Sequence, residues 1–146
     1  MRQVKERTCV MDADREGPKA RAARVELVDN WSDRWKDAAA LLEEVGHFGV
    51  LRLDEEGWLP ARQNLLVAFA GARAVGYLCF RVEPLVRDGA VVRENGKAVT
   101  EAVVEGEGAV DGADRGVVRQ LREAAMHRAL ELRCARFRWE RAEVGV

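Results

Sequence analysis

Apolar residues recur along this chain at two spacings, and the switches between them divide it into elements. In NLLVAFAGARAVGYLCFRVEP (64–84) two apolar, β-prone runs flank Ala70-Gly71-Ala72-Arg73, which predicts a hairpin with Gly71 in the turn. Gly76 inside the second run predicts a bulge or a close backbone approach. Upstream, ARVELVD (23–29) predicts a short strand. NWSDRWKDAAALLEEVG (30–46) predicts a helix capped by Asn30 or Ser32 and ended by Gly46, with Trp31, Trp35, Ala38, Leu42 and Val45 on its apolar face. Residues 47–63, broken by Gly49, Gly57 and Pro60, read as a connector or a flexible segment over a cleft.

Downstream, GAVVRE and KAVTEAVVEGEGAV flank Asn95-Gly96, which predicts a second hairpin whose later strand runs over 97–110. A helix follows over 117–133, with Val118, Leu121, Ala125, Ala129 and Leu132 on one face and Arg128 and Arg133 near its negative end. In ARFRWE, Ala135, Phe137 and Trp139 alternate with charged residues, the pattern of a half-buried strand. Strand, helix and strand can close as a right-handed parallel crossover. The expected fold is α+β, a mixed, mainly antiparallel sheet with flanking helices. Residues 1–21 are polar and broken at Gly17-Pro18; they read as a loose arm before a single domain over 22–146.

Composition narrows the functional classes. The net charge of −1, with acidic residues interspersed among the arginines, gives no reason to expect nucleic acid or an anionic membrane as partner. No long apolar window predicts a membrane span, and the charged start does not resemble a secretory signal. Cys9, Cys79 and Cys134 lie far apart without a CxxC or Cys/His cluster, so no metal site is expected and reduced thiols in a cytoplasm are the simplest reading. Cys79, in an apolar strand, reads as core. His47 and His127 are the only histidines, and no Ser-His-Asp or Cys-His arrangement follows from their spacing.

The stretch AVDGADRGVVRQ (109–120) carries the main chemical signal. A strand passing through a glycine-containing turn into a helix aims unpaired N–H groups one way, and the helix dipole adds positive charge. Such a site suits a phosphate. Gly112 and Gly116 let it approach the backbone, Arg115 adds a guanidinium, and the first helical residues supply N–H groups. Asp114 would repel it unless it points away or caps the helix. A plain structural turn accounts for the same residues. On the strand before this turn, alternation puts Glu105, Glu107 and Asp111 on one face, with Val104, Gly106, Gly108 and Val110 on the other. Glu105 or Glu107 is then a candidate base that also selects a cationic amine, and Glu101 a further one.

LVAFAGARAVGYLCFRV followed by AVDGADRGVVRQLREAAMHRALELRCARFRW resembles the GNAT superfamily of N-acetyltransferases over about residues 64–140. The resemblance rests on element order, spacing, and Val110, Arg115 and Gly116 in the family's "V....RG" pattern. It implies acetyl-CoA, or another acyl-CoA, in a V-shaped gap between two parallel strands. Backbone groups of Ala109 and Val110 would pair the pantetheine. Gly112, Ala113, Asp114, Arg115, Gly116, Val117 and Val118 would hold the pyrophosphate. The implied reaction is acyl transfer to a small-molecule or protein amine, with positioning as the main catalytic device. Two departures stand out. Val118 replaces a small residue of the family's loop, and the chain lacks the family's usual last helix and strand pair, with their tyrosine acid. Tyr77, the only tyrosine, lies in the hairpin at a position suited to packing. The departures leave two alternatives, a catalytically degenerate GNAT-fold binding module and a subunit whose sheet a homodimer or partner chain completes.

Overall fold

The computed structural model describes residues 23–140; the arm expected over 1–21 and Cys9 lie outside them. Strand β1 (Arg24–Val28) leads through a turn into α1 (Trp35–Glu44) and a 3-10 turn (Phe48–Val50). Strands β2 (Gln63–Ala70) and β3 (Arg73–Pro84) form the expected hairpin, with Gly71 at φ +64° in its turn. Two small hairpins, β4 (Val86–Arg87) with β5 (Ala90–Val91) and β6 (Arg93–Glu94) with β7 (Lys97–Ala98), precede β8 (Thr100–Ala109). Helix α2 (Gly116–Glu131) and β9 (Arg136–Trp139) complete the chain's described elements. The main sheet has the order β1-β2-β3-β8-β9; every pair is antiparallel except β8–β9, which is the parallel crossover expected.

The helices cover opposite faces. A Cβ on Gly76 would lie 2.9 Å from Val117 Cγ1 and 3.2 Å from Leu121 Cδ1, so this face meets α2. The next residue, Tyr77, points the other way and reaches His47 beyond the end of α1. Strand alternation then sorts the core. Leu65, Val67, Tyr77 and Cys79 face the α1 side, and Leu66, Ala68, Leu78 and Phe80 the α2 side, all of them buried. Gly76 is thus the close backbone approach its position predicted. A bulge lies beside it, because the register passes from Ala68↔Gly76 to Phe69↔Ala74 and leaves Val75 unopposed.

Several sequence readings shift. Helix α1 begins at Trp35, and Trp31 lies in the preceding turn, 82% exposed against Trp58 with ring centroids 5.2 Å apart. Neither candidate cap serves α1. Ser32 Oγ accepts from the Arg34 N–H, and Asn30 instead clamps the later loop through Gly57 O and the Leu59 N–H. Gly46, at φ +80°, does end the helix. On α2 the buried stripe is Val117, Leu121, Ala125 and Ala129; Val118 is only half-buried, because the face is set by contact with Gly76 one residue earlier.

The second hairpin becomes two. Asp88-Gly89 and Asn95-Gly96 both place two consecutive residues at positive φ, the requirement of a type I′ turn. Strand β8 starts at Thr100 rather than 97, since Pro84↔Thr100 is where β3 and β8 meet. At that junction Leu85 N–H donates to Val99 O, Val92 N–H to Leu85 O and Val99 N–H to Val92 O, at 2.8–2.9 Å. Three residues spaced seven apart thus close a ring of backbone hydrogen bonds, from which the two hairpins project.

Candidate active site

Two features of β8 build the site. The first is a bulge. Its register against β3 passes from Phe80↔Val104 to Cys79↔Gly106, leaving Glu105 as an extra residue. The second is an open edge. Strand β9 pairs with β8 from Glu101↔Arg136 to Val104↔Trp139, and no described residue pairs with that edge beyond it. Val110 N–H donates to Val75 O on β3. Alternate residues of an antiparallel strand direct their polar groups to the same side, so those of Gly106 and Gly108 face β3. Those of Glu107 and Ala109 face the open edge.

The bulge overturns one expectation. Glu105 and Glu107 do not share a face, because the extra residue changes the parity of the strand between them. Glu105 lies on the α1 side, its side chain only 4% exposed, accepting from Gln63 Nε2 at 2.7 Å and Arg81 at 2.9 Å, with Arg52 Nε at 3.5 Å. Glu107 lies on the α2 side and is gripped by Arg122, with Arg122 Nε donating at 2.9 Å and a second guanidinium contact beside it. The Arg122 guanidinium carbon also stands 5.3 Å from the Trp139 ring centroid, so this side chain spans β8 and β9 where their pairing stops. Glu101 is buried between Arg136 and Arg138, both of which donate to it. Burial alone would raise its pKa, but the two guanidiniums together hold it below the usual carboxylate range.

After Ala109 the chain makes a tight turn. Ala113 N–H donates to Val110 O at 3.1 Å, and Gly112 sits at φ +85°. Asp114, one residue before the N-cap Arg115, turns inward: Oδ1 accepts from the Gly116 N–H at 2.8 Å, and its carbonyl accepts from Val117 N–H at 3.0 Å. The N–H groups of Asp114, Arg115 and Val118 find no protein acceptor among the described residues, and neither does the exposed Arg115 guanidinium find a carboxylate there. Val110 and Val117 are buried in the core, and their N–H groups are already taken by Val75 O and Asp114 O, so neither offers a ligand a free donor, contrary to the expectation for Val110. Between this strand end and α1 lies a cleft of about 330 Å³ lined by Glu44, Val45, Ala109, Val110 and Asp111. Among the described residues no three His, Cys, Asp or Glu side chains gather as a metal site, and no helix is long and apolar enough to cross a membrane.

On the α1 side the open segment is bordered by a pair that sequence reasoning did not join. Tyr77 Oη, fully buried, lies 2.7 Å from His47 Nδ1. A Cβ at Gly106 would lie 2.8 Å from Tyr77 Oη and 2.9 Å from Val50 Cγ2; one at Gly108 would lie 3.2 Å from His47 Cε1 and Nδ1. The alternating glycines of VEGEGAV were the available signal, since alternate glycines on one strand face admit a close neighbour. Gly106→Ala is expected to destabilise the fold by about 1–3 kcal/mol through overpacking, read as a lower denaturation midpoint at unchanged m-value. Burial also pushes the Cys79 thiol up to about 12, with Glu105 adding to the rise, which keeps it a protonated core residue.

These elements define the class: the chain has the fold of the GNAT acyl-CoA N-acyltransferases. Among solved structures it is similar to an aminoglycoside acetyltransferase from an uncultured soil metagenomic sample in complex with sisomicin (TM-score 0.62, 12% identity, covering 87% of this chain and 82% of that one). It is also similar to a ribosomal-protein-alanine N-acetyltransferase from Brucella melitensis biovar Abortus 2308 (TM-score 0.61, 15% identity, 84% and 82% covered). A third is the aminoglycoside N-acetyltransferase AAC(6')-Iy with a CoA bisubstrate analogue (TM-score 0.59, 14% identity, 84% and 82% covered). No protein-family model and no curated protein matches the sequence.

Proposed function

We propose that the protein transfers an acyl group, acetyl in the first instance, from acyl-CoA to the amine of a small molecule. The observation that carries this reading is the open edge of β8 running straight into unpaired N–H groups at the start of α2. An extended chain of amides ending in a pyrophosphate suits that continuous row of backbone partners. Glu107, Ala109 and Val110 border the pantetheine. Gly112, Ala113, Asp114, Arg115, Gly116, Val117 and Val118 form the pyrophosphate loop, with Arg115 as its cation. Asp114 turns its carboxylate inward onto the Gly116 N–H. Outward N–H groups near the bulge are suited to polarise the thioester carbonyl. Glu105 and Glu107, both ion-paired, act through their field on an incoming cationic amine. The acceptor class is supported by neighbours whose own complexes hold sisomicin or a bisubstrate analogue.

One observation favours a second reading, a CoA-binding module without catalysis: no carboxylate at the bulge is free of an arginine. Acetyl-CoA titration by calorimetry and thermal melt tests the shared premise. Ligand at a hundred times its dissociation constant stabilises by ~2.7 kcal/mol, which is roughly 5–10 °C for a domain of this size. Absence of both heat and shift would remove acyl-CoA from the account. Binding without acetylation of any amine would select the second reading.

A further inference from the structure

The ion-paired carboxylates leave the amine proton without an obvious destination, and the α1 side of β8 offers one. We propose that His47 is the catalytic base of the acyl transfer and that Tyr77 is its positioning residue, an inference that rests on the acyltransferase reading above. His47 stands on the exposed surface immediately after α1, held by its N–H to Leu42 O at 2.8 Å. Its ring presses on β8 at Gly108, between the two residues that present backbone groups to the open edge. Tyr77 takes up Nδ1 at 2.7 Å and stacks edge-on, with ring centroids 5.6 Å apart. Nε2, on the far side of the ring, has no protein partner among the described residues.

The pair is built into the strand. Gly106 and Gly108 are the positions where a side chain would displace Tyr77 Oη or the imidazole. Burial pushes the Tyr77 phenol far above its ordinary value, with Cys79 and Glu107 adding to the rise, so it stays a neutral phenol that can accept as well as donate. In the tautomer whose Nδ1–H donates to the phenolic oxygen, the Nε2 lone pair is free.

The step balances within the groups named. The acceptor first loses its ammonium proton to water and attacks as the neutral amine: its nitrogen bonds to the thioester carbonyl carbon, and the proton it then carries in excess passes to His47 Nε2, giving an imidazolium whose Nδ1–H still meets Tyr77. The C–S bond breaks, and the sulfur leaves with the electron pair as a thiolate. The imidazolium then returns its proton to that thiolate, regenerating the neutral ring with free CoA thiol.

The test uses the full chain, with acetyl-CoA and the fastest acceptor among sisomicin, spermidine and an alanine-terminated peptide. The wild-type chain is measured first, for acetyl-CoA affinity and for thiol release. Failure there overturns the acyltransferase reading and this one with it. For His47→Ala, kcat should fall about 10²-fold or more, the range of general base catalysis, with acetyl-CoA affinity unchanged. Added imidazole should restore at least a tenfold part of that loss. Tyr77→Phe should lower kcat with acetyl-CoA affinity and KM for the acceptor unchanged. Wild-type kcat in His47→Ala would overturn the proposal. So would a loss that imidazole does not relieve, or one matched by weaker acetyl-CoA binding, since either marks a structural residue.

Discussion

Gly116→Trp is expected to abolish acetyl-CoA binding, with the far-UV circular dichroism unchanged. The two halves have separate causes. Gly116 begins α2, and a Cβ there would meet only Asp114 Oδ1, at 3.4 Å. The fold therefore has room for a side chain at this position, and φ imposes no strain on it. The same open space lies beside the N–H groups of Arg115 and Val118, where the proposed binding mode puts the pyrophosphate. An indole there occupies the phosphate's volume and covers those donors. Loss of several charge-assisted hydrogen bonds, each roughly twice as strong as a neutral one, is expected to move the dissociation constant by more than 10²-fold. Gly116→Ala should have a much smaller effect, since one methyl group leaves most of the space free. Calorimetric titration of the three proteins measures the series. Unchanged affinity in the tryptophan variant would remove the loop from the binding site.

Glu101→Gln is expected to cost about 2 kcal/mol at neutral pH and to flatten the acid limb of the stability profile. The carboxylate is 4% exposed, directly opposite Glu83 on β3 and Arg136 on β9. Arg138 donates to Glu101 and approaches Glu83 at 3.7 Å, so it offsets two like charges placed side by side. Removing one member of a buried ion pair commonly costs ~3–5 kcal/mol. Here both arginines are about half exposed and can turn to water, which brings the figure down. The pH dependence has a definite sign. The folded state holds Glu101 below its ordinary value of 4.5, so it binds fewer protons than the unfolded chain. Its contribution is full above that value and is lost as pH falls through the lower folded one. Denaturant unfolding between neutral pH and about pH 3 should show a steeper decline for the wild-type chain than for Glu101→Gln. Parallel curves would mean that the arginines do not stabilise this carboxylate.

The hairpin at Gly71 and the strand–helix–strand order of the parallel crossover were legible because each is written in local spacing and turn chemistry. The start of α1 was not. Trp31 has the helical spacing of an apolar stripe, yet Asn30 and Ser32 spend their polar groups on a loop clamp and a turn, so the helix begins four residues later. Periodicity placed Glu105 and Glu107 together because a bulge is invisible to it; one extra residue reverses the alternation. The pairing of His47 with Tyr77 spans thirty positions of sequence, and only the packing of α1 onto β3 brings it about. In each case the missing information was tertiary.

The ring formed by Leu85, Val92 and Val99 bears on how the chain folds. Strands β3 and β8 form the centre of the sheet, and an unstructured excursion over 85–99 would have to be closed at an entropic cost before they could pair. Each hairpin in that excursion closes across only two turn residues, so it can form locally, on the microsecond scale of such elements. Once both have formed, the ring draws their bases together and the two long strands are separated by three residues rather than fifteen. The effective contact order of the central pair is then close to that of a simple hairpin. Lengthening either small hairpin at its tip should therefore leave the refolding rate nearly unchanged, whereas breaking a turn at Gly89 or Gly96 should slow it.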